Sequence, residues 1–544
     1  MPRPSQLRGL AMLAAAAILA VLILALVALS AIPPAARRDE ASDRALATAR
    51  EALVAYAADR PIGAWVGPGY LPCPDLDDDG WAESTCGSQS GDTGQDQRIG
   101  RLPWKTLGLP DLRDGYGERL WYAVSSKHKG LLNCAVSRAC LDMSPDAAIG
   151  TITVRDASGT LVHDGTSTDP YALERGGAAA VVIAPGAPLV RIDGAEQRRD
   201  CAAAECDAAG RCLLDPPRRV AKCDPANYLD KAPDGEDNAD FVDRNDAAGR
   251  ARNTNGFIQG PIHAGERIAV NDRIAAIAYR DLMPRVMRRV ALEVAQCLRS
   301  YASRPENGGR YPWPSPACRQ GLADPAIAWA DAVNVRFGRV PDTPFAATRE
   351  ASGGRMLDRW WRYTSRSPEN LAELPTQDSA CRIAFEPADE GAVRRSPAGT
   401  PPEEGRTAGL GENAWWSFWK PFVFYALADE VRPDAAGAGC TSGQCIEVVD
   451  ALSAAIASGK EFAVMVAGPP LDLPNAPQRH ATGFGDPSQW LEGANAALER
   501  ANPNPAAPEC HLDASRPPCD AANCLRVAAA APGPAFNDAL ASHP

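Results

Sequence analysis

Hydrophobic and polar positions divide this chain unevenly. Residues 10–32 contain no charge, and these 23 positions are dominated by Ala, Leu, Val and Ile. A helix rises about 1.5 Å per residue, so a segment of this length just exceeds a hydrocarbon core of about 30 Å. The pattern predicts a transmembrane helix over 10–32 behind a basic leader, residues 1–9, that carries Arg3 and Arg8. A cleaved secretory signal has a shorter apolar stretch, about 7–15 residues. The small-x-small run Ala28-Leu29-Ser30 keeps that second reading open.

After Pro33-Pro34 the period changes. Leu46, Leu53, Val54, Tyr56 and Ala57 form a stripe compatible with a 3.6-residue repeat, ending at Arg60-Pro61, where proline cannot continue a helix. The aromatic and β-branched run Leu120-Trp121-Tyr122-Ala123-Val124 predicts a strand, and Ala180-Val181-Val182-Ile183-Ala184-Pro185-Gly186 a buried one ending in Pro and Gly. The same succession then recurs. Val286, Val290, Val294, Cys297, Leu298 and Tyr301 make a second helical stripe, with Asp281 as the expected N-cap. Gly309-Arg310-Tyr311-Pro312-Trp313-Pro314 echoes Gly69-Tyr70-Leu71-Pro72-Cys73-Pro74, and Pro421-Phe422-Val423-Phe424-Tyr425-Ala426 echoes Leu120 to Ala123. Phe462 to Pro469 is a second buried-strand run, again ending in Gly and Pro, and Trp490-Leu491-Glu492 answers Tyr228-Leu229-Asp230. A repeat of more than 200 residues implies tandem domains, since a solenoid repeats every 20–50 residues. The expected layout is a first unit over 33–270, a second over 271–500, and an Ala/Pro-rich, cysteine-containing tail over 501–544. A helical stripe packed on one face of an antiparallel sheet makes each unit α+β.

Charge and cysteine content locate the chain. Lys+Arg is 56 against Asp+Glu 68, a net charge of −12, and no block of like positive charge is present, so no nucleic-acid partner is expected. The 16 cysteines divide eight to each half, none forms a Cys-x2-Cys pair, and only six histidines exist. A structural zinc site needs paired soft ligands at short spacing, whereas an oxidising compartment turns such cysteines into cross-links. The candidate bonds are Cys73 with Cys86, closing an acidic loop, and the close pairs Cys134/Cys140 and Cys440/Cys445. The reading is a single-pass protein of a bacterial inner membrane, amino terminus cytoplasmic, bulk periplasmic or extracellular.

Two segments carry a family resemblance. Arg8-Gly9 directly before Leu10-Ala11-Met12-Leu13 resembles the start of type IV prepilins and type II secretion pseudopilins. Asp114-x-Tyr116-Gly117 followed by Tyr122 is similar to a conserved segment of major pseudopilins, with its prolines absent and tyrosine for tryptophan. The resemblance implies cleavage between Gly9 and Leu10, pilin-like units, and partner subunits that pack through the amino-terminal helix. The family's glutamate five residues into the mature chain is replaced by Ala14. That replacement is similar to the tip-type minor pseudopilin, which has no subunit above it to engage.

Asp75-x-Asp77-x-Asp79-Gly80 is the one metal-like motif, alternating carboxylates that can wrap a hard cation such as calcium. Cys86 stands where an EF-hand has its bidentate glutamate, which leaves Glu83 or a distant carboxylate to complete the shell. A solvated acidic turn is the alternative. The cluster Trp415-Trp416-x-Phe418-Trp419 reads either as core or as a ligand-binding face. No Gly-x-Ser-x-Gly, P-loop or His-Glu-x-x-His occurs, so no enzyme is expected. The function that results is a structural minor pilin or pseudopilin subunit, at a filament tip or in an initiating complex. Its rivals are an adhesin-like envelope binding protein outside any filament and an anchored hydrolase.

Overall fold

In a computed structural model the described residues are 17–21, 34–60, 67–84, 86, 98–129, 143–167, 176–199, 212–214, 218–220, 223–240, 256–303, 307–316, 335–341, 418–436, 439–440, 445–450, 453–471, 487–496, 498, 526–529 and 538–543. They form a mixed α/β molecule with several sheets. Helix α1 (Pro34–Asp59) opens at Pro34, a residue suited to a first helical turn because its missing N–H has no intrahelical partner there. Its stripe Ala45, Leu46, Ala49, Leu53, Val54 and Ala57 is buried. It packs on a four-stranded antiparallel sheet made of β1 (Ile99–Arg101), β2 (Trp121–Val124), β5 (Ala180–Ala184) and β11 (Arg273–Ile277), in the order β1-β2-β5-β11. Between these in sequence, β3 (Val154–Arg155) and β4 (Leu161–His163) join β8 (Phe257–Ile258) in a smaller sheet, with β3 antiparallel to β4 and parallel to β8. Two hairpins complete this half, β6 (Cys212–Leu214) with β7 (Arg218–Val220), and β9 (Ile262–Ala264) with β10 (Arg267–Val270).

The second half repeats the helix, the four-stranded sheet and the small three-stranded sheet. Helix α2 (Tyr279–Ala302) packs on a sheet of β12 (Phe337–Arg339), β13 (Val423–Leu427), β16 (Phe462–Val466) and β18 (Ala539–His543), in the order β12-β13-β16-β18 and again antiparallel throughout. Its small sheet places β14 (Ile446–Val449) between β15 (Ala455–Lys460), antiparallel, and β17 (Arg526–Ala528), parallel. Equivalent strands carry equivalent contacts. The Tyr122 hydroxyl donates to the Pro72 carbonyl at 3.0 Å, and the Tyr425 hydroxyl to the Pro312 carbonyl at 3.2 Å.

Burial on both faces explains the unbroken apolar runs of the central strands. Tyr122, Val124, Ala180, Val182 and Ala184 face the core shared with both helices, whereas Trp121, Ala123, Val181 and Ile183 face a second core with Ile152, Val154, Tyr228 and Phe257. Removing each large side chain from water contributes about 1.5–3 kcal/mol. Helices α1 and α2 also touch each other, clamped by Arg50–Asp281 and Arg285–Glu51, each at 2.5 Å.

Three expectations are corrected. Among the described residues no helix is long and apolar enough to cross a membrane. Of 10–32 the described residues, 17–21, are helical, and the long helices α1 and α2 carry many charges. The transmembrane helix that opened the expected α+β fold, and the single-pass inner-membrane placement drawn from it, are therefore unsupported. The boundaries also move. Strand β11, beyond 270, closes the first sheet because it pairs along its length with β5, while β17 and β18, within 501–544, are strands of the second unit. Finally, Asp281 is the third residue of α2 rather than its cap, and its carboxylate accepts the Ala278 N–H at 2.9 Å.

Candidate functional site

The acidic loop is built against the edge of the first sheet. Asp75 and Arg101 exchange backbone hydrogen bonds of 3.0 and 2.8 Å, which pins the loop's first residue beside β1. A disulfide between Cys73 and Cys86, thirteen residues apart, closes the loop, and both sulfurs lie in the core. Inside it the Asp75 carboxylate accepts the N–H groups of Asp79 at 3.2 Å and Gly80 at 2.7 Å. Gly80 takes φ +91°, and a Cβ there would lie 2.7 Å from the Trp104 ring, so this position requires glycine.

The turn sorts its four carboxylates by direction. Asp78 pairs with Arg119 at 2.7 Å and lies 3.9 Å from Arg101. Asp75, Asp77 and Asp79 instead bring one carboxylate oxygen each to within 4.8 Å of one another, and among the described residues none of the three forms an ion pair. Asp75 is buried, and this desolvation, together with the negative charges of Asp78, Asp79 and Asp77, pushes its carboxyl up to about 7, against the Gly80 N–H that favours ionisation. Three converging hard oxygens short of a counter-charge fit a calcium ion, which takes oxygen ligands at about 2.3–2.6 Å. Glu83 is not in this cluster.

The other sequence candidates have separate fates. Cys440 and Cys445 are bonded to each other, and Cys73, Cys86, Cys223 and Cys297 are likewise in disulfides. Glu430 lies close to the Cys440–Cys445 pair, but bonded sulfurs offer no thiolate to a metal. Trp419 is buried core. Gly9, Leu10, Ala14, Cys134, Cys140, Trp415 and Trp416 lie outside the described residues. Asp114 organises its turn by accepting from Tyr116 and Glu118 N–H at 2.8 and 2.9 Å, and reaches across to Gly186 N–H at 2.9 Å. The next residue, Gly115, leaves no room for a side chain, since a Cβ would lie 2.0 Å from the Arg38 carbonyl oxygen on α1.

Two constellations had no signature in the spacing of the sequence. In each unit an arginine from the edge strand lies between aromatic rings: Arg101 over Trp121 at 4.4 Å and Tyr228 at 4.1 Å, Arg339 over Phe424 at 3.6 Å and Trp490 at 5.0 Å. Beneath each aromatic cap lies a buried carboxyl pair with an asparagine. Asp230 N–H donates to Asp272 Oδ2 at 2.8 Å, and the Asn238 amide donates to the same oxygen at 2.8 Å. Asn238 also accepts from Ile258 N–H at 2.8 Å and donates to its carbonyl at 2.9 Å. The second unit matches group for group. Glu492 N–H and the Asn495 amide donate to Asp538 Oδ2 at 3.1 and 3.0 Å, while Asn495 accepts from Ala528 N–H at 2.7 Å and donates to its carbonyl at 3.3 Å. Partners 42 and 46 residues apart meet only through the fold. The one legible trace was the echo of Tyr228-Leu229-Asp230 in Trp490-Leu491-Glu492. Comparison with protein-family models, curated proteins and solved structures finds no match for this chain.

Proposed function

We propose that this protein is a structural subunit, a minor pilin or pseudopilin of a type IV pilus or type II secretion-like machine, and not an enzyme. The observation that carries the reading is the repeated unit, one helix on a four-stranded antiparallel sheet, used twice with the two helices in contact. The polar constellations of the two units serve the same structural ends, tying a loop to strands and capping an arginine, which favours assembly over catalysis. The uncharged run at 10–32 supports a partner at that end. Ile18, Leu19 and Val21 are 61%, 59% and 65% exposed, and apolar side chains in such a run need covering. The equivalent segments of other subunits are the proposed cover. Ala14 in place of the glutamate of the pilin-like proteins it resembles supports a position at a tip or in an initiating complex. Calcium held by Asp75, Asp77 and Asp79 would stiffen the loop beside β1, and the disulfides suit a chain matured under oxidising conditions.

Processing tests the reading. Co-expression with a prepilin peptidase should remove residues 1–9, so that intact-mass measurement finds a mature chain beginning at Leu10. An unchanged mass refutes it.

A further inference from the structure

The outward face of α2 is cationic in an acidic protein. The helix carries five arginines against two acids, while the whole chain has a net charge of −12. Arg285, Arg288, Leu292 and Arg299 recur at steps of three, four and seven residues, which puts them on one side of the helix. Neighbouring acids satisfy only part of this face. Arg285 pairs with Glu51 and Arg289 with Glu293, each at 2.5 Å, and the helix's other acid, Asp281, is taken by Arg50 of α1. Arg299 reaches the neutral Gln296 at 2.7 Å, and the exposed Arg280 and Arg288 have no acidic partner among the described residues. Leu292, in the middle of the face, is 45% exposed.

The acidic loop has the opposite character. Asp79 is exposed and Asp77 half-buried, neither has an ion pair among the described residues, and Trp81, two residues beyond, is 56% exposed. The Trp81 N–H donates to Asp79 Oδ1 at 2.7 Å, which ties the tryptophan to the carboxylates. The fold itself does not require these acids. In the second unit Ser315 takes the place of Asp75, exchanging backbone hydrogen bonds of 2.9 and 2.7 Å with Arg339. One chain thus presents two complementary patches, a leucine flanked by arginines and a tryptophan beside carboxylates, each an apolar centre with a charged rim. We propose that the α2 face around Arg288 and Leu292 docks on the acidic loop of a second copy of this chain, Leu292 against Trp81 and Arg288 opposite Asp77. A net charge of −12 keeps copies apart wherever like patches meet, and this orientation replaces that repulsion by attraction. The two faces differ, so a docked pair still offers one of each and the contact can repeat along a row. It does not depend on the filament reading.

Sedimentation velocity of the full chain tests the contact, in chelator so that the loop is free of calcium. At low salt the parent should associate as concentration rises, and about 1 M salt, where the screening length falls to about 3 Å, should return it to monomer. Arg288→Glu and Asp77→Lys should each weaken association at least about tenfold, because each sets like charges face to face. Mixing the two variants should restore pairing, since each keeps the patch that the other has reversed. Trp81→Ala, at an exposed site, should weaken association without reversing a charge, and it stands in if Asp77→Lys does not fold. A parent that stays monomeric at low salt overturns the proposal, as does association that neither reversal weakens, the result that packing through 10–32 would give. A monomeric parent that sediments with phosphatidylglycerol vesicles overturns it in favour of a lipid surface.

Discussion

Replacing Asp114 by alanine tests whether the turn between the edge of α1 and the central strands is held by one carboxylate. Three backbone N–H groups converge on it, from Tyr116, Glu118 and Gly186, at 2.8 to 2.9 Å. The carboxylate is buried, as is Gly186, whereas Tyr116 and Glu118 are partly open to water. A hydrogen bond to a charged group contributes about 1.5–3 kcal/mol, and a buried donor left unpaired costs about 1–3 kcal/mol. Water can recover part of the loss at the two outer N–H groups, so Asp114→Ala should cost about 4 kcal/mol rather than the full sum of three bonds. Asp114→Asn separates the contributions. Its single oxygen can keep Tyr116 and Glu118, but its NH2 then confronts the Gly186 N–H, for an expected loss of about 2 kcal/mol. Urea unfolding should show the midpoints ordered parent, Asn, Ala at similar slope. An alanine variant within about 1 kcal/mol of the parent would refute the reasoning, since it would mean that the three N–H groups find other partners.

The acidic loop supplies two further tests. Calcium should raise the melting temperature relative to chelator, with a stabilisation of about 2.7 kcal/mol at a hundredfold excess over the dissociation constant. Asp77→Ala should abolish that response, and no response in the parent discards the ion. Replacing Cys73 and Cys86 together by alanine should cost about 3 kcal/mol in calcium-free buffer, because a closed loop of that length restricts the unfolded chain by about that much. A pair of variants as stable as the parent would mean that the loop's backbone pairing with Arg101 already suffices.

Local pattern made much of each unit legible. The runs at 180–184 and 462–466 read as buried strands because they are buried on both faces, and the helical stripes read because one face of α1 and α2 is apolar at the 3.6-residue period. The Cys73–Cys86 pairing and the convergence of Asp75, Asp77 and Asp79 were also legible, since all five residues lie within one short loop and turn geometry alone brings them near one another. The uncharged stretch at 10–32 shows where such reasoning stops. Hydropathy registers apolar length alone, and among the described residues no helix is long and apolar enough to cross a membrane.

By itself, then, the sequence determined what depends on neighbours along the chain: helix stripes, strand runs, the disulfide-closed acidic turn and the echo of one half in the other. Only the tertiary structure decided that β11 belongs to the first sheet and β18 to the second, that Arg101 and Arg339 are each held between aromatic rings, and that Asp230 meets Asp272 as Glu492 meets Asp538. Most of these contacts span 40 to more than 100 residues. Strand pairing and burial select them jointly over the whole fold, so no local run of residue types encodes them.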